Sequence, residues 1–228
     1  MFPSAFLCLS ICHIAPMSFP VATPHAVKKA CEYLSRVDRQ LKSTIDKVGL
    51  VRFAPTKTSH FAYLVRAIIH QQLAGRAAET IHGRLIALLG NEVSPTRILS
   101  TSAEDLRRAG VSANKFLALQ DLSERARCGA LVLDDRGLAC LDDHEIIKEL
   151  SEVRGIGPWT AQMFLMSQLR RLDVWPTGDL GVRRGYGLIH SAPELSPNEL
   201  ELAGQALRPY RSVAAVYCWR AIDLARGK

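Results

Sequence analysis

Asp179 is the residue of this sequence with the clearest capacity for chemistry. It follows residues 175–178, which read Trp-Pro-Thr-Gly, and it precedes an apolar pattern that runs to Leu188. It can therefore be the N-cap of a helix, where free N–H groups favour the charged form of a carboxylate. An ionised carboxylate stabilises positive charge that develops during a reaction. Since Asp is also a common N-cap without further role, a catalytic and a purely structural interpretation both remain open.

A glycine-rich turn lies some twenty positions before this acid, where residues 154–161 read Arg-Gly-Ile-Gly-Pro-Trp-Thr-Ala. Gly155 and Gly157 permit positive φ angles and let the backbone approach another surface closely. Pro158 suits the first position of the next helix, whose free N–H groups lie at the positive end of the helix dipole. Such a helix start can bind a phosphate. An ordinary tight turn between two helices would contain a similar glycine pair.

Two tryptophans near these motifs could bind a flat or cationic ligand. Trp159 directly follows Pro158, and Trp219 belongs to the last predicted helix. An electron-rich indole face attracts cations, whereas most tryptophans of helical proteins pack in the core. The pocket hypothesis is favoured for Trp159 and stays undecided for Trp219.

Helices must position these side chains. From Thr23 onward apolar residues recur at three- and four-residue spacing, and no segment alternates as a strand does. Apolar stripes at 61–69 and 81–89 predict two helices that meet at Gly75. A final helix is predicted over 211–225. The expected fold class is therefore all-α.

The start of several helices is indicated by capping patterns. Ser102, Asp142 or Asp143, and Ser196 each precede a helical pattern as an N-cap does. Since no repeat or linker divides the pattern, a single domain is expected over 23–228, with the hairpin at about 143–171. Residues 1–22 are expected to be a disordered tail or the product of a mis-annotated start codon.

Composition restricts the classes of partner and cofactor. Lys and Arg outnumber Asp and Glu by 29 to 22, which gives a net charge of +7 and favours a polyanionic partner. The six cysteines form no C-x-x-C pair and accompany no matching run of histidines, so no zinc or iron–sulfur cofactor is expected. A chain with ample apolar content and reduced thiols fits an intracellular compartment. The apolar segment 5–16 is too short to span a membrane.

The sequence resembles the helix-hairpin-helix DNA glycosylases, in particular the 3-methyladenine DNA glycosylase II group, in a compact form without an N-terminal β domain. Four blocks carry the resemblance, which covers nearly everything after Thr23. They are His-Gln-Gln-Leu at 70–73, the hairpin at 155–161, Trp-Pro-Thr-Gly-Asp-Leu at 175–180, and Arg-Pro-Tyr-Arg-Ser at 208–212 with Trp219 downstream. The implied fold has two helical subdomains that flank an active-site cleft.

The resemblance implies roles for the hairpin and the acid. Asp179 matches the catalytic carboxylate. The N–H groups near Gly155 and Gly157, with the Thr160 hydroxyl, are expected to bind DNA phosphates, which fixes register without reading sequence. A monovalent cation at hairpin carbonyls such as that of Val153 is a further expectation of the resemblance, with no metal bound by side chains.

The resemblance also implies roles around the damaged base. Trp159 and Trp219 would form the base pocket, and Gln72, with Gln71 and more weakly Val111, would fill the gap left by the flipped base. Relatives that also cleave the strand carry a Lys where this chain has Trp159. The chain is therefore expected to be monofunctional.

The implied activity is hydrolysis of the N-glycosidic bond of alkylated purines, first 3-methyladenine and 7-methylguanine, in double-stranded DNA. The expected protein is an intracellular monomer, in the bacterial cytoplasm or a nucleus, that contacts no membrane. Two alternatives remain: a glycosylase for mismatched, oxidised or deaminated bases, and a non-catalytic DNA-binding module.

Overall fold

The computed structural model describes residues 19–227, and helices dominate this range. The helices are α1 (Pro24–Val37), α2 (Arg39–Val48), α3 (His60–His70), α4 (Gly75–Leu88), α5 (Pro95–Ser100), α6 (Ala103–Arg108), α7 (Ala113–Cys128), α8 (Asp135–Leu138), α9 (Asp143–Ser151), α10 (Pro158–Ser167), α11 (Leu180–His190), α12 (Pro197–Ala203), a 3₁₀ helix (Gly204–Leu207) and α13 (Arg211–Ala225). Extended pairing within the described range is confined to an isolated bridge between Val21 and Arg171. The all-α class is thus confirmed. None of these helices is both long and apolar enough to cross a bilayer.

The predicted helix boundaries agree closely with the structure. The helix α4 begins at Gly75, and α13 covers the predicted range 211–225. The Ser102 side chain accepts a hydrogen bond from the N–H of Asp105, as an N-cap does. Asp142 and Ser196 each form a reciprocal capping box with the Glu three positions later. Local capping chemistry is therefore sufficient to define these helix starts.

The helices form two subdomains around one continuous apolar core. Helices from the two ends of the chain, α1 and α2 with α11 and α13, pack together, while α3 to α10 pack among themselves. The segment between α10 and α11 joins the two groups, and its residues Leu172, Val174 and Trp175 are buried. The N-termini of α10 and α11, which carry the hairpin and Asp179, therefore face each other where the subdomains meet.

The N-terminal boundary differs from the prediction. Residues 1–18 of the expected tail lie outside the described residues. Ala22, however, is buried, and its N–H donates to the carbonyl of Arg170 at 2.8 Å. The guanidinium carbon of Arg171 lies over the Phe19 ring, 3.6 Å from the ring centroid. The packed chain thus begins before residue 23, because the backbone of the extended segment 19–22 is hydrogen-bonded to the loop after α10.

Candidate active site

Asp179 is the N-cap of α11, and its carboxylate is held by three N–H donors. Oδ1 accepts from the backbone N–H of Val182 at 2.8 Å and from the indole Nε1 of Trp219 at 2.9 Å. Oδ2 accepts from the indole Nε1 of Trp159 at 2.6 Å. An ionised carboxylate only accepts hydrogen bonds, so three N–H donors match its charged form. Donors from both subdomains therefore fix the orientation of the Asp179 side chain.

Trp159 brings the hairpin to this carboxylate. It lies in the first turn of α10 and is 49% exposed, which is a large fraction for an indole. Besides its bond to Asp179, the ring lines a cleft of about 650 Å³ between α3 and α10. The exposed part of the ring is therefore accessible to a molecule that enters this cleft.

Trp219 reaches Asp179 from the other side. It belongs to α13 and lines a separate surface depression, with Gly181 and Arg184, and not the cleft that Trp159 lines. The structure thus brings both predicted tryptophans to the acid but only one of them into the cleft. The role of Trp219 in the base pocket therefore stays a prediction.

Two glycines on α11 permit this approach, and sequence reasoning missed them. A Cβ at Gly181 would lie 2.8 Å from the Trp219 ring and 3.0 Å from Asp179 Oδ1. A Cβ at Gly185 would lie 1.9 Å from the backbone carbonyl oxygen of Cys218. The spacing of four residues puts both glycines on one helix face, which is the pattern that could have identified a close helix contact.

The hairpin presents free N–H groups to solvent. Gly155 has a φ of +78° and Gly157 is the N-cap of α10, without a side-chain cap. Within residues 19–227, neither glycine N–H donates a hydrogen bond. A Cβ at Gly157 would meet nothing within 4 Å, so the surface beyond it is open. These donors at the positive end of the α10 dipole have the geometry of an anion site.

The other two predicted hairpin residues are enclosed. Thr160 is only 6% exposed and lines the cleft beside Trp159. The backbone donors are therefore more accessible to a phosphate, and the contact from the Thr160 hydroxyl stays a prediction. Val153 has a buried side chain, and its carbonyl accepts from the N–H of Ile156 at 3.0 Å, which leaves one acceptor position for a cation.

The two glutamines of the α3–α4 turn separate into different roles. The Gln71 amide donates to the carbonyl of Gly155 at 2.8 Å, so it holds the hairpin and does not project from the surface. Gln72 is exposed and has a φ of +57°, a rare conformation for a residue with a side chain. Strained backbone of this kind is concentrated at functional sites. The gap-filling role stays a prediction for both residues, and Gln72 is the more exposed of the two.

Val111 does not fit its predicted role. Its side chain is only 3% exposed, so it is part of the core and not available to enter DNA. The preceding Gly110 has a φ of +100°, and the Val111 N–H returns to the carbonyl of Leu106 at 3.0 Å. This turn directs the apolar side chain inward, where its burial is favourable.

The cleft has further walls that the sequence did not indicate. Tyr63 on α3 and Met163 on α10 also line it, and the Tyr63 hydroxyl donates to the carbonyl of Met163 at 3.2 Å. Burial raises the pKa of Tyr63 above its ordinary value, so the phenol stays neutral. The Tyr63 ring meets that of Phe164 edge to face. The only available indication was the helical spacing of these residues, which is shared by ordinary core positions.

Comparison with known proteins agrees with this geometry. A family described as HhH-GPD superfamily base excision DNA repair protein matches residues 65–209. DNA-3-methyladenine glycosylase 1 of Schizosaccharomyces pombe is 32% identical over 205 residues, which is 88% of this chain and 90% of that protein. The structure of the S. pombe 3-methyladenine DNA glycosylase in complex with abasic DNA superposes with a TM-score of 0.76 at 31% identity, covering 86% of this chain and 98% of the other. That of a DNA-3-methyladenine glycosidase from Bacillus halodurans gives 0.78 at 34% identity, covering 92% and 95%.

The matched region contains the hairpin, Trp159 and Asp179, and it includes the turn of Gln71 and Gln72. The chain belongs to the HhH-GPD superfamily of base excision DNA repair proteins. The predicted helix-hairpin-helix fold is confirmed by the structural neighbours as well as by the helices themselves.

Proposed function

We propose that the protein is a monofunctional DNA glycosylase that hydrolyses the N-glycosidic bond of alkylated purines, chiefly 3-methyladenine and 7-methylguanine, in duplex DNA. One observation carries the proposal. The Asp179 carboxylate is bound by the indole N–H of Trp159, whose ring also lines a cleft of about 650 Å³. The Trp159 side chain thus contacts a fixed negative charge and also offers an aromatic surface to a base in the cleft.

Asp179 has the properties that this hydrolysis needs. Cleavage of the bond between a purine and its sugar builds positive charge on the sugar, which a nearby carboxylate stabilises. A carboxylate offers about four acceptor positions. Three of them are occupied by Val182, Trp219 and Trp159, so one on Oδ2 remains for the sugar or for an attacking water.

The cleft suits a base that carries positive charge. A purine alkylated at N3 or N7 is cationic, and the exposed face of Trp159 attracts cations. The volume of the cleft is within the range of small-ligand pockets. Because an alkylated base is already a good leaving group, the site does not need a dedicated acid to protonate it. The names of the relatives, which are 3-methyladenine glycosylases, favour the same substrates.

The hairpin and the α3–α4 turn would hold the DNA. The free N–H groups of Gly155 and Gly157 would bind phosphates of the damaged strand, assisted by a monovalent cation at the Val153 carbonyl. Gln72 would fill the gap when the base is turned out of the duplex, which costs a few kcal/mol. Gln71 would position the hairpin through its bond to Gly155.

The proposed enzyme leaves an abasic site and does not cleave the strand. Strand cleavage by a Schiff base needs an amine nucleophile at the hairpin. The position that carries this Lys in the bifunctional relatives is occupied here by Trp159, which has no amine. We further propose that it acts as a monomer, in the compartment that holds the DNA.

The test is to incubate the protein with duplexes that contain 3-methyladenine, 7-methylguanine, uracil or 8-oxoguanine, and to measure free base and strand breaks separately. We expect release of the alkylated bases without strand breaks. Release of uracil or 8-oxoguanine alone would change the substrate assignment. A covalent adduct trapped by borohydride would contradict the monofunctional mechanism, and the absence of any base release would contradict enzymatic activity.

A further inference from the structure

A second cluster of chemically active side chains adjoins the cleft, and one of its members, His70, also lines it. His70 is the last residue of α3, and Glu79 and His82 lie one turn apart on α4. One ligand atom from each lies within 4.8 Å of the other two. The rings of His70 and His82 meet edge to face, with centroids 5.9 Å apart. Two imidazoles and a carboxylate form a ligand set typical of zinc and other divalent transition metals.

One imidazole of the cluster has a ring nitrogen that no described residue satisfies. The Nε2 atom of His70 is buried and has no hydrogen-bond partner within residues 19–227. A buried nitrogen without a partner is costly, and a metal ion would satisfy it.

The carboxylate has one oxygen available for a metal. Glu79 Oε1 accepts a hydrogen bond from Arg66 Nη2 at 2.5 Å and lies 3.8 Å from His70 Nε2. Its Oε2 accepts no hydrogen bond from the described residues. The side chains of Glu79 and Arg66 are 58% and 49% exposed, so both can move.

The required movement is small. Ligand atoms around a tetrahedral zinc ion are about 3.4 Å apart. Contraction from separations of up to 4.8 Å needs side-chain shifts of only about 1 Å. Arg66 can turn toward solvent as the cation enters, since half of its side chain is already exposed.

We propose that His70, Glu79 and His82 bind a divalent transition-metal ion of the zinc class, with water in the remaining coordination position. The ion would link the end of α3 to α4 across the turn that carries Gln72. The site is independent of Asp179, and its existence does not depend on the proposed glycosylase activity.

The test is titration of the full chain with ZnCl₂ by calorimetry, and with CoCl₂ by visible absorption. Cys128 is exposed, so all proteins should carry Cys128→Ser to remove competing thiolate. The ligand variants are His82→Ala and Glu79→Gln. The matched control is His25→Ala, which removes an exposed imidazole on α1.

We expect one Zn²⁺ per chain, with an affinity lowered about tenfold or more in each ligand variant and unchanged in the control. Bound Zn²⁺ should also raise the melting temperature of the parent protein but not of His82→Ala, because binding to the folded state alone stabilises it. Absence of Zn²⁺ binding by the parent protein, or equal affinity in the parent and both ligand variants, would overturn the proposal.

Discussion

The two indoles that donate to Asp179 differ in what else they contact. Trp159 turns an exposed face to the cleft, whereas Trp219 is half-buried against Gly181 and lines no part of that cleft. Their separate surroundings mean that substitutions at the two positions should have different consequences.

Trp219→Phe should remove the hydrogen bond to Asp179 while a smaller aromatic ring remains at this position. Hydrogen bonds to charged groups contribute about 1.5–3 kcal/mol, so the rate constant for base release should fall about tenfold or more. The Michaelis constant and DNA affinity should stay close to those of the parent protein. Single-turnover release of 7-methylguanine and a binding isotherm would measure these two effects, and an unchanged release rate would show that the Trp219 bond does not orient Asp179.

Substitution of Trp159 should separate its two roles. Trp159→Phe loses the bond to Asp179 but keeps an aromatic face, so we expect a loss of about tenfold or more in the release rate. Trp159→Ala also loses the cation–π contact and should be slower by about a further fivefold. Equal rates in the two variants, measured under single-turnover conditions, would mean that the ring face does not bind the base.

At this scale the sequence predicted residue types better than contacts. Asp179, Trp159 and the two glycines of the hairpin could be singled out from local motifs, whereas their proposed roles came from the family resemblance and stay predictions. The bond from Gln71 to Gly155 joins residues 84 positions apart, and that from Trp219 to Asp179 joins residues 40 apart. Such contacts depend on how helices pack, which local patterns do not encode.

At the scale of elements, the hairpin is the segment whose function can be tested without loss of the fold. Gly157 has a φ of −102°, which any residue can adopt, and no heavy atom lies within 4 Å of the position of an added Cβ. A methyl group there would project toward the strand that the N–H groups are proposed to bind. The same space is empty around Gly83 in the middle of α4.

Gly157→Ala should therefore fold as the parent protein does but bind DNA about tenfold more weakly, since one phosphate contact is obstructed. Gly83→Ala is the matched control and should leave DNA affinity unchanged. Fluorescence anisotropy with a duplex at two salt concentrations, beside melting temperatures, would measure both. Equal affinity in the two variants would argue against a phosphate site at the hairpin.

Helix positions and caps were predictable because they depend on neighbouring residues. The direction in which a turn points its side chains was less predictable, as Val111 illustrates. Its position after Gly110 is compatible with an exposed apolar side chain, but the backbone of the turn directs it into the core. The close approach of α13 to Gly181 and Gly185 was likewise missed, because the sequence does not state which helices are neighbours.

At the scale of the whole molecule, an ion pair ties the first helices to the last ones. The imidazole of His190, at the end of α11, donates from Nε2 to Asp38 Oδ2 at 2.8 Å and from Nδ1 to the carbonyl of Tyr186 at 2.9 Å. Asp38 is also the N-cap of α2. Since both ring nitrogens face acceptors, the imidazolium form fits this site.

The pair should make stability depend on pH. Burial alone would lower the pKa of His190, but the bonds to Asp38 and Tyr186 outweigh it and raise the value above 6.5. Burial likewise opposes ionisation of Asp38, whereas its bonds to His190 and to backbone N–H groups lower its pKa below 3.8. The stabilisation from His190 is therefore complete below pH 6.5 and is lost as the pH rises through the raised pKa. That from Asp38 is complete above pH 3.8 and is lost in stronger acid.

His190→Gln should accordingly lower the melting temperature most near pH 5–6, by about 2–4 °C, and progressively less toward pH 9. Scanning calorimetry of both proteins across this range measures the difference. A deficit that is constant with pH would mean that the imidazole acts by packing, including its stacking on Tyr186, and not by its charge.

Asp179→Asn tests whether the charge of Asp179 drives cleavage of the glycosidic bond. The amide is nearly isosteric but uncharged. We expect the single-turnover rate of 7-methylguanine release to fall about 100-fold or more, while affinity for an undamaged duplex stays close to that of the parent protein. A variant that releases the base at the parental rate would contradict the proposed mechanism.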